Sequence, residues 1–209
     1  MIASFLLGVL MITGCKEKDG QPYATQKDNA WSRNACGAFS LAYYLAETGQ
    51  IPGPKVESTA KKIYSSIKFD PAAGFGDYSD PFKIAREAAK YASSITFAMN
   101  VSNPQTEGEK LMSMLATGLG ADTTQFTDII DIPSTLGKDE YVIEILVPRA
   151  SVDLINPMNN PLHYVLTYWK GDTLYTLDPG RGKEEARQNF IDGTTTRWSF
   201  CNSGIFITK

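Results

Sequence analysis

Histidine is almost missing from this chain. Among 209 residues there is one, His163. Cysteine is scarce as well: there are three, and none stands in a CxxC pair. A zinc site built from the usual sulfur and imidazole ligands is therefore not expected. Excess positive charge is absent, since 20 Lys and Arg face 23 Asp and Glu for a net charge of -3. Without a basic patch, a nucleic-acid partner is not favoured. No internal repeat or low-complexity segment is present. Gly74-Phe75-Gly76 is not followed by Lys and Ser or Thr, so it is not a phosphate loop. No metal and no cofactor is expected.

Long apolar runs are also few. The longest, residues 1–14, carries no charge. It is shorter than the roughly 20 residues a spanning helix needs. It does fit the apolar core of a secretory signal. It ends in Ile12-Thr13-Gly14-Cys15, which resembles the bacterial lipobox, where the cysteine is lipidated and becomes the new N-terminus. No Lys or Arg precedes Cys15, which departs from that pattern, and a plain buried segment is the alternative. The expected organisation is a signal peptide with lipobox over 1–15, a polar tether over 16–25 and one folded domain over 26–209. The expected location is the bacterial cell envelope, lipid-anchored through Cys15 or secreted, with the membrane face open. The length suits one domain with a sizeable core.

Two periodicities divide the domain. The apolar residues between Cys36 and Glu47 predict a largely buried helix, punctuated by Gly49 and Pro52. A second helix is expected over about 54–67. Residues 69–78 are rich in Gly and Pro and read as a surface loop. Asp80-Pro81 offers a cap and a first-turn proline for a helix to about Tyr91. A short strand over 95–99 and a helix over 107–119 follow. After about residue 139 the pattern becomes strand-like: 141–147, 162–169, 173–177 and 204–208. Lys170-Gly171-Asp172 makes the middle two a hairpin. Helices first and antiparallel strands later imply an α+β domain.

The scarce residues fall at informative places. Cys36 opens the first helix, where the positive end of the helix dipole and unpaired backbone N–H groups favour a thiolate. His163 opens one hairpin strand and Asp178 closes the next. Those two ends are neighbours in an antiparallel hairpin, so both side chains reach one cleft if the pleat register agrees. Cysteine as nucleophile, histidine as proton carrier and aspartate as the group that orients the ring is the order of a thiol-hydrolase triad. Each residue has a plainer reading. A lone Cys is often a small buried hydrophobe, a lone His is often structural, and Asp before Pro-Gly is a common turn residue. The agreement of all three placements favours the triad. Cys201 fits a buried inert thiol, or the partner of Cys36 in a disulfide. The aromatics Tyr43, Tyr44, Trp31, Trp169 and Trp198 fit either a binding groove or the core. Arg181 and Lys183 could bind a substrate carboxylate or belong to a solvated loop.

The segments Asn34 to Ala42, His163 to Tyr168, Gly171 to Tyr175 and Leu177-Asp178-Pro179-Gly180 resemble papain-like cysteine peptidases, closest to the group similar to bacteriocin leader peptidases. The resemblance spans about residues 26–209. It implies a papain-like fold, with a helical lobe carrying the Cys helix packed on a C-terminal antiparallel β-sheet. It further implies Cys36 as nucleophile, His163 as base and Asp178 as orienting acid, acting on a peptide or protein substrate. In that family a glutamine a few residues before the cysteine stabilises the oxyanion. In this chain the candidates are Asn29, preferred for its nearness, and Gln26, ten residues upstream. Asn34 is expected to cap the helix locally. The expected function is a thiol-dependent, envelope-anchored hydrolase of amide bonds. The alternatives are a peptidoglycan amidase or endopeptidase, a transglutaminase-type acyltransferase, and an inactive peptide-binding module.

Overall fold

The structure, a computed structural model, describes residues 23–27, 29–70, 76–100, 102–121, 126–129, 131–194 and 197–209. Cys15, the apolar run before it and most of the tether lie outside the described residues.

Helix α1 (Cys36–Glu47) has the bounds its periodicity predicts, and every residue from Cys36 to Leu45 is buried. A helix apolar on all sides belongs in a core. It packs against α2 (Val56–Ile67), α3 (Pro81–Ala88) and the sheet. Close approach requires Gly37, because a Cβ there would lie 2.4 Å from Ile84 Cδ1 and 2.9 Å from Ser79 Cβ. The Asp80 side chain caps α3 by accepting from the N–H groups of Phe82 and Lys83. Helix α4 (Glu107–Gly118) begins with a capping box made by Thr106 and Glu109.

The sheet is entirely antiparallel, in the order β1-β6-β2-β3-β4-β5. Its strands are β1 (Ser94–Met99), β2 (Glu140–Pro148), β3 (His163–Lys170), β4 (Thr173–Asp178), β5 (Lys183–Ala186) and β6 (Trp198–Thr208). The last strand inserts between the first and the second. Alternation along β2 splits the core in two. Ile143, Ile145 and Val147 face the cluster that includes α1 to α4. Val142 and Leu146 face the opposite side, covered by α5 (Ile132–Thr135) and α6 (Arg187–Thr194). The architecture is thus α+β, as expected.

The structure departs from the sequence reading on that second face. Neither α5, α6 nor β5 is foreshadowed by periodicity. Helix α6 runs through a mostly polar segment and is held by tertiary contacts. Phe190 is buried with Leu146 and Val165. Arg187 donates from Nε and Nη2 to the two carboxylate oxygens of Glu144, at 2.9 and 2.8 Å, and Glu144 is 0% exposed. Strand β6 is also longer than the expected 204–208. Asn202 adopts φ 47, and the pairing with β2 shifts register between Glu144 and Leu146. A bulge breaks simple alternation, which hides the first half of the strand from a period-two reading. The hidden half carries Trp198 to the end of the sheet where His163 begins β3.

Candidate active site

Strands β3 and β4 pair with Leu166 opposite Leu177. Continuing that register sets Asp178 beside Val165, on the same face as His163 and one diagonal step from it. The two side chains meet. His163 Nε2 lies 2.7 Å from Asp178 Oδ1, with the residues only 6% and 3% exposed. The Gly180 backbone N–H donates to the same carboxylate oxygen at 2.7 Å. The N–H groups of Arg181 and Gly182 donate to the Asp178 carbonyl. The turn after β4 therefore fixes the aspartate from both ends.

Cys36 is 4% exposed and its Sγ sits 3.8 Å from the Leu162 carbonyl, one residue before His163. It lines a pocket of about 280 Å³ together with Gln26, Asn34, Leu162, His163 and Trp198. Since Nε2 of the imidazole is engaged by Asp178, Nδ1 is the nitrogen left for the thiol. Burial alone would push the His163 pKa down. The hydrogen bond to Asp178, and the hydrogen bond and charge of Cys36, outweigh burial and raise it to about 10. Burial likewise works against the Asp178 charge. The bond to His163, the His163 charge, the Gly180 N–H and Arg181 overcome it and hold the carboxyl below its usual range. The indole of Trp198 stacks on the imidazole, with centroids 5.1 Å apart and planes at 23°. It covers one face of the ring.

Of the two candidate amides, Gln26 and not Asn29 lines the pocket that Cys36 lines. Asn29 donates to Glu57 Oε1 at 2.6 Å and does not line the pocket. Gln26 does line it, held on both sides of its backbone. Its N–H donates to the Pro179 carbonyl at 3.2 Å, and its carbonyl accepts from Ser32 Oγ at 2.7 Å. Its amide nitrogen donates to the Arg33 carbonyl at 3.0 Å, and its amide oxygen is buried with no hydrogen-bond partner among the described residues. Asn29 is nearer to Cys36 along the chain, whereas Gln26 stands ten positions upstream. A 3-10 turn over Ala30–Ser32 folds that segment back, and Trp31 pins it by stacking on Phe39 at 5.9 Å. No side chain caps α1: the N-cap is Ala35, and Asn34 does not serve as expected. The first-turn N–H groups beside Cys36 thus keep their positive end unblocked.

Cys201 lies elsewhere. Both it and Cys36 are free thiols, so the disulfide alternative is not realised. Cys201 donates to the Ile145 carbonyl at 3.0 Å, and burial pushes its pKa up to about 12. Lys183 is exposed and pairs with Glu185, outside the cleft. Among the described residues no cluster of His, Cys, Asp or Glu could hold a metal ion, and no helix is long and apolar enough to cross a membrane. The sequence reading missed the Gly180 N–H that holds Asp178 and the Arg33 carbonyl that holds the Gln26 amide, and left Trp198 undecided. The only signal for Gly180 was its place after Asp178-Pro179, which also suits an ordinary turn.

No family model, no curated protein and no solved structure matches this chain.

Proposed function

We propose that the protein is a papain-like, thiol-dependent hydrolase that cleaves amide bonds of a peptide or protein substrate through an acyl-thioester on Cys36. The observation that carries this is the buried His163–Asp178 contact in the same cleft as a cysteine at an uncapped helix start. In this reading the Cys36 thiolate attacks the carbonyl carbon while His163 is protonated. The tetrahedral oxyanion is received by backbone N–H groups of the first turn of α1 and by the Gln26 amide. Collapse breaks the C–N bond, and His163 passes its proton to the departing nitrogen. A water then attacks the thioester, giving a proton to His163. The C–S bond breaks, and the thiolate–imidazolium pair is restored. Asp178 holds the ring in one tautomer and supports its charge throughout.

The remaining N-terminal assignment belongs to the same proposal. An export signal ending at Cys15 would tether the hydrolase to a bacterial envelope membrane by lipid. Mass spectrometry of the mature chain tests this: a start at Met1 with unmodified Cys15 removes the anchor.

A thiol-reactive activity probe tests the chemistry. Wild type should label at Cys36, and Cys36→Ala should not. His163→Ala should abolish nearly all turnover, because no second imidazole exists to replace it. Asp178→Ala should fall between, and Cys201→Ser should stay near wild type. Near-normal turnover in His163→Ala would end the thiol-hydrolase reading.

A further inference from the structure

The imidazole side of the cleft is cationic in a protein of net charge -3. A space of about 510 Å³ opens beside His163 and Asp178, and Lys27, Arg33, Arg181 and Arg197 line it. The one carboxylate there, Asp178, is already engaged by His163 and Gly180. Among the described residues no carboxylate pairs with Lys27, Arg33 or Arg197. Arg181 differs from these three because it is partly sunk into the wall. Its Nη1 is 2.7 Å from Glu185 Oε1, an ion pair by distance, yet neither atom has a properly directed hydrogen-bond partner. The guanidinium lies 5.9 Å from the Phe190 ring centroid. It also passes so close to Gly193 that a Cβ there would sit 3.3 Å from Nη1. The result is a positioned cation, turned to Glu185 at Nη1 and set in the wall of the space by Phe190 and Gly193. A guanidinium presents a planar fork of donors that matches a carboxylate.

We propose that this wall is the subsite for a carboxylate on the leaving-group side of the substrate. The inference rests on the thiol-hydrolase reading, which also supplies the direction. His163 gives its proton to the departing amine, so the leaving group must lie on the imidazole side. The cationic space touches His163 and Asp178, and it shares His163, Arg33 and Arg197 with the Cys36 pocket, so two of the cations border both. The Cys36 pocket alone adds Tyr78, Pro161 and Leu162, which suit the acyl part of the substrate in this reading. The carboxylate is either an acidic side chain just after the scissile bond or the free terminus of a short leaving peptide. Both present the same planar anion to Arg181 and Arg197.

Alkylation of Cys36 in the full chain tests the wall without assuming a substrate. Iodoacetate and iodoacetamide differ in one charge, and peptide mapping assigns the adduct to Cys36. The ratio of their rate constants at Cys36, divided by that ratio for free cysteine, should be about tenfold or more at low salt. It should shrink at high ionic strength, where exposed charges are screened. Arg197→Gln and Arg33→Gln change exposed side chains, so these variants should stay folded. Together they should bring the ratio down at least about threefold, and adding Lys27→Gln should lower it further. A ratio equal to that of free cysteine, or one unmoved by these variants, overturns the proposal. Matched peptides with Glu or Gln after the scissile bond, each with a free or amidated C-terminus, distinguish the two carboxylate sources. Cleavage that ignores both changes, or prefers Lys, overturns the subsite and leaves the thiol chemistry standing. If His163→Ala has no effect on Cys36 reactivity, the functional reading and the subsite fall together.

Discussion

Gly180 lies against the imidazole of His163: a Cβ at this position would stand 3.1 Å from ring carbon Cε1 and 3.2 Å from Asp178 Oδ1. The residue after Asp178-Pro179 is therefore part of the seat for the ring as well as of a turn. Alanine there must push either the ring or the carboxylate by a few tenths of an ångström. Gly180→Ala should lower kcat/KM by about tenfold to a hundredfold, because small displacements of reacting groups are costly in rate. The thermal midpoint should move little. Steady-state kinetics alongside circular dichroism melts would check it, and unchanged kinetics would show that the ring does not depend on this contact.

The His163–Asp178 pair should leave a signature in stability against pH. The folded His163 pKa, about 10, lies above the ordinary 6.5, so its contribution is complete below 6.5 and is lost as pH rises toward 10. The folded Asp178 pKa lies below 3.8, so its contribution is present above 3.8 and is lost as pH falls through the folded value. The pair therefore stabilises most between those ordinary values. Urea midpoints should be higher at about pH 5.5 than at about pH 9.5, and Asp178→Asn should flatten that difference. A wild type and variant with parallel profiles would contradict the assignment of the shift to this pair.

Gln26 and Asn29 give opposite expectations. If Gln26 donates to the oxyanion, Gln26→Ala should reduce kcat by about 10² to 10³ with little change in KM. Asn29→Ala should stay within a few-fold of wild type, since its amide is bonded to Glu57. A small loss of stability is its expected effect. The reverse ranking would return the oxyanion role to Asn29.

Arg187 and Glu144 form the buried ion pair that holds α6 to the sheet. Arg187→Ala would leave the Glu144 carboxylate uncompensated at 0% exposure. The expected cost is about 3–5 kcal/mol in chemical denaturation. Replacing both residues with apolar ones of similar volume should recover most of it. An unrecovered double variant would mean that the pair supports packing in some other way, for instance through Arg187 over the Phe200 ring at 4.4 Å.

Much of the fold and half of the site were legible beforehand. Helices α1 and α2 and strands β1 to β4 follow from apolar periods and from Gly, Pro and Asp punctuation, all of which act within a few residues. Cys36, His163 and Asp178 were also readable, because a helix start, a strand start and a strand end are local addresses. The hairpin then makes two of those addresses neighbours. Helix α6 and the first half of β6 were not legible. Their stability comes from Arg187 finding Glu144, from Phe190 finding Leu146 and from a bulge at Asn202, none of which leaves a periodic trace.

The amino-acid sequence by itself determined the α+β class, the Cys, His and Asp order and the hairpin that joins the last two. Those features depend on spacing along the chain. Tertiary structure alone decided that Gln26 and not Asn29 reaches the cleft, that Trp198 covers the imidazole, and that Lys27, Arg33, Arg181 and Arg197 share one wall. Each of these depends on distant segments meeting: a folded-back turn pinned by Trp31, a last strand inserted between β1 and β2, and a helix anchored by a buried ion pair. Such meetings are set by what each segment can bury against another, and a linear pattern does not record that.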